Sequence, residues 1–329
     1  MKIAILGAGA WGTALASHAS ARHDTVLWSR DPSVLASVAA DRVNRAYLPG
    51  IALNPALGTE PSLDAAIDGA ALIVVATSLA GLRPVLERLR DTGRRIDAVS
   101  WLCKGLDADT GRLAHQVVAD AMPQATAGCL TGPSFAQEVA RGLPVALTAA
   151  ATGASLADTL VAAFHHGPMR VYRSTDLVGV EIGGALKNVM AIATGIGDGM
   201  GLGLNARAAL ITRGLAEIAR FGLAHGASPE TFMGLAGMGD LVLTCTGDLS
   251  RNRTVGLELA AGRPLDAVLA RLGHVAEGVA CCRAVVARAA SLGVEMPISE
   301  TVLDVIEGRL VPADALRMLL AREPKAEHR

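Results

Sequence analysis

The chain is poor in aromatic residues and carries almost no net charge. Aromatic side chains make up 3% of its 329 residues, and 30 basic residues balance 31 acidic ones to a formal net charge of −1. No long basic run occurs, so binding of nucleic acid or of an anionic membrane by bulk electrostatics is not expected. With 51% hydrophobic and 19% charged residues, the composition indicates a folded globular protein rather than a disordered chain.

Long apolar runs are absent as well. No stretch of about 18 uninterrupted apolar residues occurs, which disfavours a transmembrane helix. The apolar run at the N-terminus breaks after Leu6 into glycines, which is too early for the ~7–15-residue apolar core of a secretion signal. We therefore expect a cytoplasmic protein without a membrane span.

Cysteines are few and show no pairing pattern. The five are odd in number, and none belongs to a C-x-x-C pair or to a cluster with histidine. Neither a disulfide framework nor a metal site is indicated. We expect these thiols to be small core residues in a reducing compartment.

What the first half of the chain does contain is an alternation of apolar segments with helical patterns. The segments that resemble buried strands are residues 2–6, 25–28, 71–76, 97–103, 145–150 and 169–174. Buried strands separated by helices are typical of βαβ units and a parallel sheet. From residue 176 to 320 the periodicity is helical. The sequence thus predicts a Rossmann-like α/β domain over residues 1–174 and an all-helical domain over residues 175–329.

A glycine motif follows the first predicted strand. Gly7, Gly9 and Gly12 have the G-x-G-x-x-G spacing and open a helical pattern. Glycine there permits a tight turn and close approach of a pyrophosphate, and the helix N-terminus supplies N–H donors. The motif alone is weak evidence, but its place directly after a strand predicts dinucleotide binding.

The end of the second predicted strand bears on the choice of cofactor. Sites for NAD usually place an acid there to bond the ribose 2′-hydroxyl, whereas this chain has Trp28, Ser29 and Arg30, with Asp31 one step later. An arginine at this position favours NADPH because it can receive a 2′-phosphate. The alternative is a solvated arginine in a turn before Pro32.

Lys187 stands out in the apolar segment 181–199. Its neighbours at helical spacing are small or apolar, so its ammonium group has no easy route to water. Desolvation would lower its pKa toward neutrality and allow it to carry a proton. A lysine that extends its head group to the surface is the alternative, and the local sequence leaves both open.

Polar residues that suit an anion come later. Ser250, Arg251, Asn252 and Arg253 combine a hydroxyl, guanidinium groups and an amide at a predicted helix start, a set that suits phosphate. A capping serine with solvated arginines is the alternative. Asp240 lies in a glycine-rich turn, where a structural role is also open.

Three further residues are candidates by position. Ser134 with Gln137 has the spacing of a capping box, which does not exclude contact with substrate. Lys104 comes just after a predicted parallel strand, where ligands usually bind. Glu277 lies in a polar turn, and its local sequence suggests no role.

Together these segments resemble a known enzyme family. The segments GAGAWGTALA, CKGL, TGPSFAQEVARGLP, GGALKNV, NARAALITRGLAEI, TFMGLAGMGDLVLTCT and SRNR are similar to those of the bacterial NAD(P)-dependent glycerol-3-phosphate dehydrogenases. The resemblance runs in order from residue 1 to about residue 320. It implies a helical domain like the C-terminal domain of 6-phosphogluconate dehydrogenase, a homodimer, and reversible reduction of dihydroxyacetone phosphate to sn-glycerol 3-phosphate for phospholipid synthesis.

The resemblance also implies roles for individual residues. Lys187 corresponds to the family's catalytic proton donor and acceptor. The substrate-binding positions correspond to Lys104, Gly132, Ser134, Lys187, Asp240, Ser250, Arg251 and Asn252. The NADP- or NAD-binding positions correspond to Gly7, Gly9, Ala10, Trp11, Gly12, Arg30, Lys104, Ala136, Arg251, Val275 and Glu277, with NADPH preferred. No metal is implied.

Two departures from the family pattern and two rival functions accompany this interpretation. Cys103 replaces the usual threonine before Lys104, and the segment before the second strand is short by about one residue, which affects the alignment of Arg30. One rival is another 2- or 3-hydroxyacid dehydrogenase with a Rossmann-plus-helical fold, which should lack the SRNR anion site. The other is a non-catalytic NAD(P)-sensing module, which would not need Lys187, Lys104 and Asp240 together.

Overall fold

The computed structural model describes residues 1–272 and 276–321. A single eight-stranded sheet occupies the first half, in the order β3-β2-β1-β4-β5-β6-β7-β8. The strands are β1 Lys2–Leu6, β2 Asp24–Trp28, β3 Gly58–Thr59, β4 Leu72–Val75, β5 Ala98–Trp101, β6 Thr126–Thr131, β7 Val145–Ala151 and β8 Met169–Ser174. This order places β1 between β2 and β4, as in a Rossmann fold, so the predicted fold class is confirmed.

The sheet is parallel only as far as β6. Strand β7 runs antiparallel to β6, and β8 runs parallel to β7. Gly132 follows β6 with φ +137°, a conformation that favours glycine, and the chain reverses after it so that β7 returns along β6. The wholly parallel sheet expected from the sequence is therefore corrected at its last two strands.

Seven helices accompany the sheet, and the remaining helices follow it. The first group is α1 Ala10–Ala19, α2 Pro32–Asp41, α3 Leu63–Ile67, α4 Leu79–Asp91, α5 Ala114–Ala121, α6 Ala136–Ala140 and α7 Ala154–Phe164. The second is α8 Leu177–Gly199, α9 Gly203–Ala224, α10 Pro229–Phe232, a π-helical turn Leu235–Gly239, α11 Asp240–Thr246, α12 Arg251–Ala260, α13 Leu265–Leu272, α14 Glu277–Ser291, α15 Pro297–Ile306 and α16 Pro312–Leu320.

The core has three parts, two on the faces of the sheet and one among the later helices. Strand β1 shows how the sheet divides the first two, because Ile3 and Ile5 pack on one face while Ala4 and Leu6 pack on the other. Side chains of a strand alternate between the two faces, so the apolar run from Ile3 to Leu6 in β1 is buried on both sides.

Helix α8 forms the centre of the third core. It is long and apolar enough to cross a membrane by length and composition, with a mean hydropathy of 1.3, yet 94% of its apolar window is buried inside the protein. Glycines allow this burial, because a Cβ on Gly195 would lie 2.1 Å from the carbonyl oxygen of Arg253 on α12. The direction of Lys187 is fixed separately, by its bonds to Asp240 and Thr244 on α11.

Candidate active site

The loop from β1 to α1 is built for close approach of a ligand to the backbone. Gly7 has φ +134°, and a Cβ there would lie 2.5 Å from the carbonyl oxygen of Ala76. A Cβ on Gly12 would lie 2.1 Å from the carbonyl oxygen of Gly7, whereas a Cβ on Gly9 would enter open space. The first and third glycines therefore let the strand and helix pack, and the second leaves the space that a pyrophosphate fills at the N-terminus of α1. These residues fit a bound dinucleotide.

The end of β2 lies beside this loop. The backbone N–H of Gly7 donates to the carbonyl oxygen of Trp28 at 2.9 Å. Asp31 is the N-cap of α2, and its Oδ1 accepts from the backbone N–H and hydroxyl of Ser33 at 2.9 and 2.6 Å. Both bonds lower the pKa of the Asp31 carboxyl, the hydroxyl bond more. The Asp31 carboxylate is thus engaged in capping, while Arg30 is exposed and lines the cavity.

Two lysines share one buried carboxylate. Asp240, on the first turn of α11, accepts from Lys187 Nζ through Oδ1 at 2.5 Å and from Lys104 Nζ through Oδ2 at 2.6 Å. Lys187 also donates to the hydroxyl of Thr244 at 3.0 Å, and that hydroxyl donates to the carbonyl oxygen of Asp240. The side chains of Asp240 and Lys187 are 1% and 9% exposed, so Lys187 is held inside the protein and does not extend to the surface.

This environment changes the proton affinity of Lys187. Burial lowers its pKa to about 8, the Asp240 carboxylate opposes that effect, and the Lys104 ammonium lowers the pKa further. Desolvation and a like charge both disfavour the charged form of an amine. A lysine with such a pKa can both give and take a proton near neutral pH.

Three residues of the SRNR segment line the cavity, whereas the fourth forms ion pairs with the rest of the protein. Ser250 caps α12, its hydroxyl accepting from the backbone N–H of Arg253 at 3.2 Å. Arg253 is committed to Asp198 and Asp248 at 2.8 and 2.9 Å. Ser250, Arg251 and Asn252 line the cavity, and within the described chain Arg251 forms no ion pair with a carboxylate. One arginine of the segment is therefore available for an anion, and the other anchors the helix.

A chain of amides extends from this segment to α8 and α14. Asn252 Nδ2 donates to Asn188 Oδ1 at 3.0 Å, and Asn252 Oδ1 accepts from the backbone N–H of Gly278 at 3.0 Å. The Nδ2 of Asn188 is buried and lines the cavity, where the Glu277 carboxylate is the acceptor that the Asn188 side chain acts on among the described residues. Such a donor is costly to leave unpaired, so it is suited to a carboxylate oxygen.

Glu277 lies near the same cations. Burial raises the pKa of its carboxyl, while Lys104, Arg251 and Lys187 act in the opposite direction. Glu277 begins α14 and lines the cavity. Its local sequence suggests no role, so its position beside these cations becomes apparent only from the fold.

Ser134 differs from the capping box expected of it. Its hydroxyl donates to the carbonyl oxygen of Gly132 at 3.0 Å, and the N-cap of α6 is Phe135, without a side-chain cap bond. Lys104 Nζ lies 3.4 Å from the same carbonyl oxygen. The capping prediction was wrong because α6 begins at Ala136, one position later than that box requires.

One cavity of 1370 Å³ brings most of the predicted residues together. Those that line it are Gly7, Gly9, Ala10, Trp11, Gly12, Arg30, Lys104, Ser134, Ala136, Lys187, Asp240, Ser250, Arg251, Asn252 and Glu277. Gly132 is not among its lining residues but contacts Lys104 and Ser134, and Val275 lies outside the described residues. Within residues 1–272 and 276–321, no three His, Cys, Asp or Glu side chains are grouped as metal ligands.

Thr244 and Asn188 are among the polar residues of the cavity that sequence reasoning missed. Thr244 could have been found, because it follows Asp240 by four residues and so shares its helix face. Asn188 gave no such signal, since its partners on α12 are distant in sequence.

Comparisons with known proteins agree with this site. Models of the NAD-dependent glycerol-3-phosphate dehydrogenase N-terminus and C-terminus match residues 2–157 and 176–317. A glycerol-3-phosphate dehydrogenase (NAD(P)+) of Burkholderia lata is 58% identical, covering 99% of this chain and 100% of that protein. One of Methylibium petroleiphilum is 59% identical, covering 99% and 98%.

A solved structure is similar over the whole fold. The crystal structure of glycerol-3-phosphate dehydrogenase from Coxiella burnetii has a TM-score of 0.92 and 39% identity, covering 98% of this chain and 99% of that one. The resemblance inferred from the sequence motifs is confirmed. The chain belongs to the NAD-dependent glycerol-3-phosphate dehydrogenase family.

Proposed function

We propose that the chain catalyses the reversible, NAD(P)H-dependent reduction of dihydroxyacetone phosphate to sn-glycerol 3-phosphate. The observation that carries this proposal is that Lys187, paired with Asp240, opens into the cavity that also holds the glycine loop. When bound, the reduced nicotinamide supplies the hydride. The protein must hold the phosphate, position the ketone and deliver a proton.

Lys187 is the proton carrier in this account. Its ammonium group donates to the oxygen that becomes the alcohol, and in the reverse direction the neutral amine takes that proton back. Asp240 and Thr244 each hold Nζ at hydrogen-bond distance, which fixes where the proton is offered. The lowered pKa makes the ammonium a stronger acid than an exposed lysine.

Lys104 adds positive charge that Asp240 cannot neutralise. Two ammonium groups share one carboxylate, so the group of three carries an excess positive charge in a largely buried place. Such a charge stabilises negative charge that develops on the substrate oxygen. Lys104 therefore acts on the transition state and, by repulsion, on the proton affinity of Lys187.

The substrate phosphate is assigned to the start of α12. Arg251 is exposed, lines the cavity and forms no ion pair within 4 Å among the described residues, although it lies near the Glu277 carboxyl, and Ser250 and Asn252 flank it. The Nδ2 of Asn188, shared with the Glu277 carboxylate, is a further donor at this end of the cavity. Binding the phosphate away from the reacting carbon holds the ketone against the cofactor.

The dinucleotide is assigned to the β1–α1 loop and the residues around it. Gly7, Gly9 and Gly12 hold the pyrophosphate, and the resemblance adds Ala10, Trp11, Ala136, Val275 and Glu277. NADPH is preferred, because the Arg30 guanidinium is exposed at the cavity just after β2, where it can receive a 2′-phosphate. Residues 1–174 form the cofactor domain and residues 175–329 the substrate domain, with Lys104 reaching across to the second.

The resemblance carries three further parts of the proposal. The protein is a homodimer, lies in the cytoplasm, and supplies glycerophospholipid synthesis. Light scattering on the purified protein tests the first, cell fractionation the second, and the fall in glycerophospholipid labelling after gene deletion the third.

One assay tests the proposed reaction. Dihydroxyacetone phosphate should be consumed with oxidation of NADPH, and more slowly with NADH. Consumption of 2-keto or 3-keto carboxylic acids in its place would favour the rival hydroxyacid dehydrogenase.

A further inference from the structure

One face of α4 forms a wall of the cavity beside the end of β2. Gly81, Pro84, Val85 and Arg88 all line the cavity, and their spacing of i, i+3, i+4 and i+7 places them along one side of the helix. The first three are small or apolar. Arg88 is the only charged residue among the four, and it lies toward the end of the helix.

Arg88 rests on an aromatic platform that is continuous with the glycine loop. Its guanidinium carbon lies 4.9 Å from the centre of the Trp28 ring. The indole is fixed, because Trp28 is 2% exposed and its Nε1 donates to the carbonyl oxygen of Pro61 at 3.1 Å. The carbonyl oxygen of Trp28 in turn accepts from Gly7.

The guanidinium of Arg88 is not committed to a carboxylate. On the same helix Arg83 pairs with Asp120 and Arg90 with Asp91. Among residues 1–272 and 276–321, neither Arg88 nor Arg30 forms an ion pair, and Oδ1 of the neighbouring Asp31 carboxylate accepts from Ser33. Two uncommitted cations therefore lie at the part of the cavity where the adenosine of a dinucleotide would bind.

We infer that Arg88 is a second cation for the 2′-phosphate of NADPH and sets, with Arg30, the preference for NADPH over NADH. This inference rests on the proposed function only in taking a dinucleotide as the ligand. With one face against the indole, the guanidinium keeps its N–H edges free for phosphate oxygens. The indole also holds the side chain in place, so less conformational freedom is lost on binding.

Cofactor binding without substrate tests this directly. Titration of wild type and Arg88→Gln with NADPH and with NADH, followed by nicotinamide fluorescence, gives the two dissociation constants. We expect Arg88→Gln to weaken NADPH binding about 5–10-fold and to change NADH binding by less than about 2-fold. Arg88→Lys should retain part of the preference for NADPH. Arg30→Gln should, like Arg88→Gln, weaken the binding of NADPH more than the binding of NADH.

Arg90→Gln is the matched control, since Arg90 is on the same helix but does not line the cavity, and it should leave both constants unchanged. Equal weakening of NADPH and NADH by Arg88→Gln would overturn the inference, because it would mean stacking on adenine. No change with either cofactor, or a wild type that binds both equally, would also overturn it. Since these titrations contain no substrate, NADPH selectivity without turnover of dihydroxyacetone phosphate would refute the proposed reaction and leave Arg88's role intact.

Discussion

At the scale of single residues, the charge balance around Asp240 decides what Lys187 can do. Asp240 alone would keep Lys187 protonated, but burial and the Lys104 ammonium act against it and lower the pKa of Lys187 to about 8. Near neutral pH both protonation states are then accessible. The Asp240 carboxylate between two lysines thus forms ion pairs and also sets the proton affinity of Lys187.

The pH dependence of the rate follows from this balance. Ketone reduction needs the ammonium form of Lys187, so kcat/KM should fall as pH rises through about 8, whereas alcohol oxidation needs the neutral amine and should rise there. Asp240→Asn removes the negative charge that raises the pKa of Lys187. The fall of kcat/KM for reduction and its rise for oxidation should therefore both move to lower pH. Lys104→Met removes the like charge and should move them to higher pH.

Profiles of kcat/KM in both directions measure these shifts. Shifts in the same direction in the two variants would contradict the account, because the two neighbours have opposite charge.

The phosphate contact is tested by removing Arg251. Arg251→Ala should raise KM for dihydroxyacetone phosphate about 10–100-fold, with a smaller change in kcat. Unphosphorylated dihydroxyacetone is the control substrate, since it lacks the group that Arg251 binds. An equal loss of kcat/KM on both substrates would rule out a phosphate contact by this residue.

The residues of the site could be predicted unevenly from the sequence. Lys187 was visible as an isolated charge, but whether it reached the surface depended on packing against α11. Its partner Asp240 and the second lysine, Lys104, are 136 residues apart, so no local pattern connects them. Trp28 beneath Arg88 was likewise beyond prediction, because the contact joins β2 to α4.

At the level of secondary structure, different glycines of the β1–α1 connection contribute to folding and to ligand binding. A Cβ on Gly12 would collide with the backbone of Gly7 and with Ala76, whereas a Cβ on Gly9 would meet no atom within 4 Å. Gly9 also has φ −69° and ψ 177°, which any residue can adopt. The same motif thus contains one glycine that packing requires and one that packing does not require, for which we propose a role in binding the pyrophosphate.

Alanine at these two positions should give opposite outcomes. Gly9→Ala should leave the melting temperature unchanged and raise the dissociation constant for NADPH at least about 10-fold. Gly12→Ala should lower the free energy of unfolding by about 1–3 kcal/mol. Thermal unfolding and fluorescence titration measure both, and a Gly9→Ala variant that binds NADPH normally would disprove the pyrophosphate assignment.

Strand β6 shows why one central element could not be predicted. Its residues are small, with Gly128 in the middle, and such a segment has low β propensity. Packing favours that glycine, because a Cβ there would lie 2.9 Å from Leu156 on α7, 3.0 Å from the Cβ of Ala151 and 3.1 Å from the carbonyl oxygen of Ala150. Tertiary packing therefore explains both the strand and the absence of its usual sequence pattern.

At the scale of the whole molecule, the site forms where the sheet meets the later helices. The sheet half contributes the glycine loop, Lys104 and Gly132, and the helical half contributes Lys187, Asp240 and Arg251. The sequence predicted this division from the change of periodicity near Ser174. The boundary at residues 174 and 175, and the homodimer, remain predictions.

At the level of the whole fold, buried histidines make the free energy of unfolding depend on pH in the acid range. Burial lowers the pKa of His166 to about 4, and the charges of His18, Arg22 and His23 add to this. Between pH 6.5 and about 4 the unfolded chain therefore binds a proton that folded His166 does not, so the free energy of unfolding falls as pH falls through this window.

Replacing His166 by phenylalanine should remove this contribution while keeping a ring to stack on His18, which lies 4.0 Å away in the native pair. We expect wild type to lose about 2 kcal/mol more than His166→Phe between pH 7 and pH 5 in denaturant unfolding. Burial raises the pKa of Glu217 to about 7, so its contribution to the free energy of unfolding grows as pH falls. This contribution is the same in wild type and His166→Phe and cancels in the difference between them. Equal pH dependence of the two would contradict the account.

The most direct test of the central claim is the single-turnover rate of Lys187→Met with NADPH and dihydroxyacetone phosphate. Asp240 keeps Lys104 as its ion partner in this variant, so the fold and the cofactor site should survive, as thermal unfolding and NADPH titration would show. We expect normal NADPH affinity with a rate reduced roughly 10²–10⁴-fold. A folded variant that binds NADPH and reduces dihydroxyacetone phosphate at a rate near that of wild type would contradict this expectation.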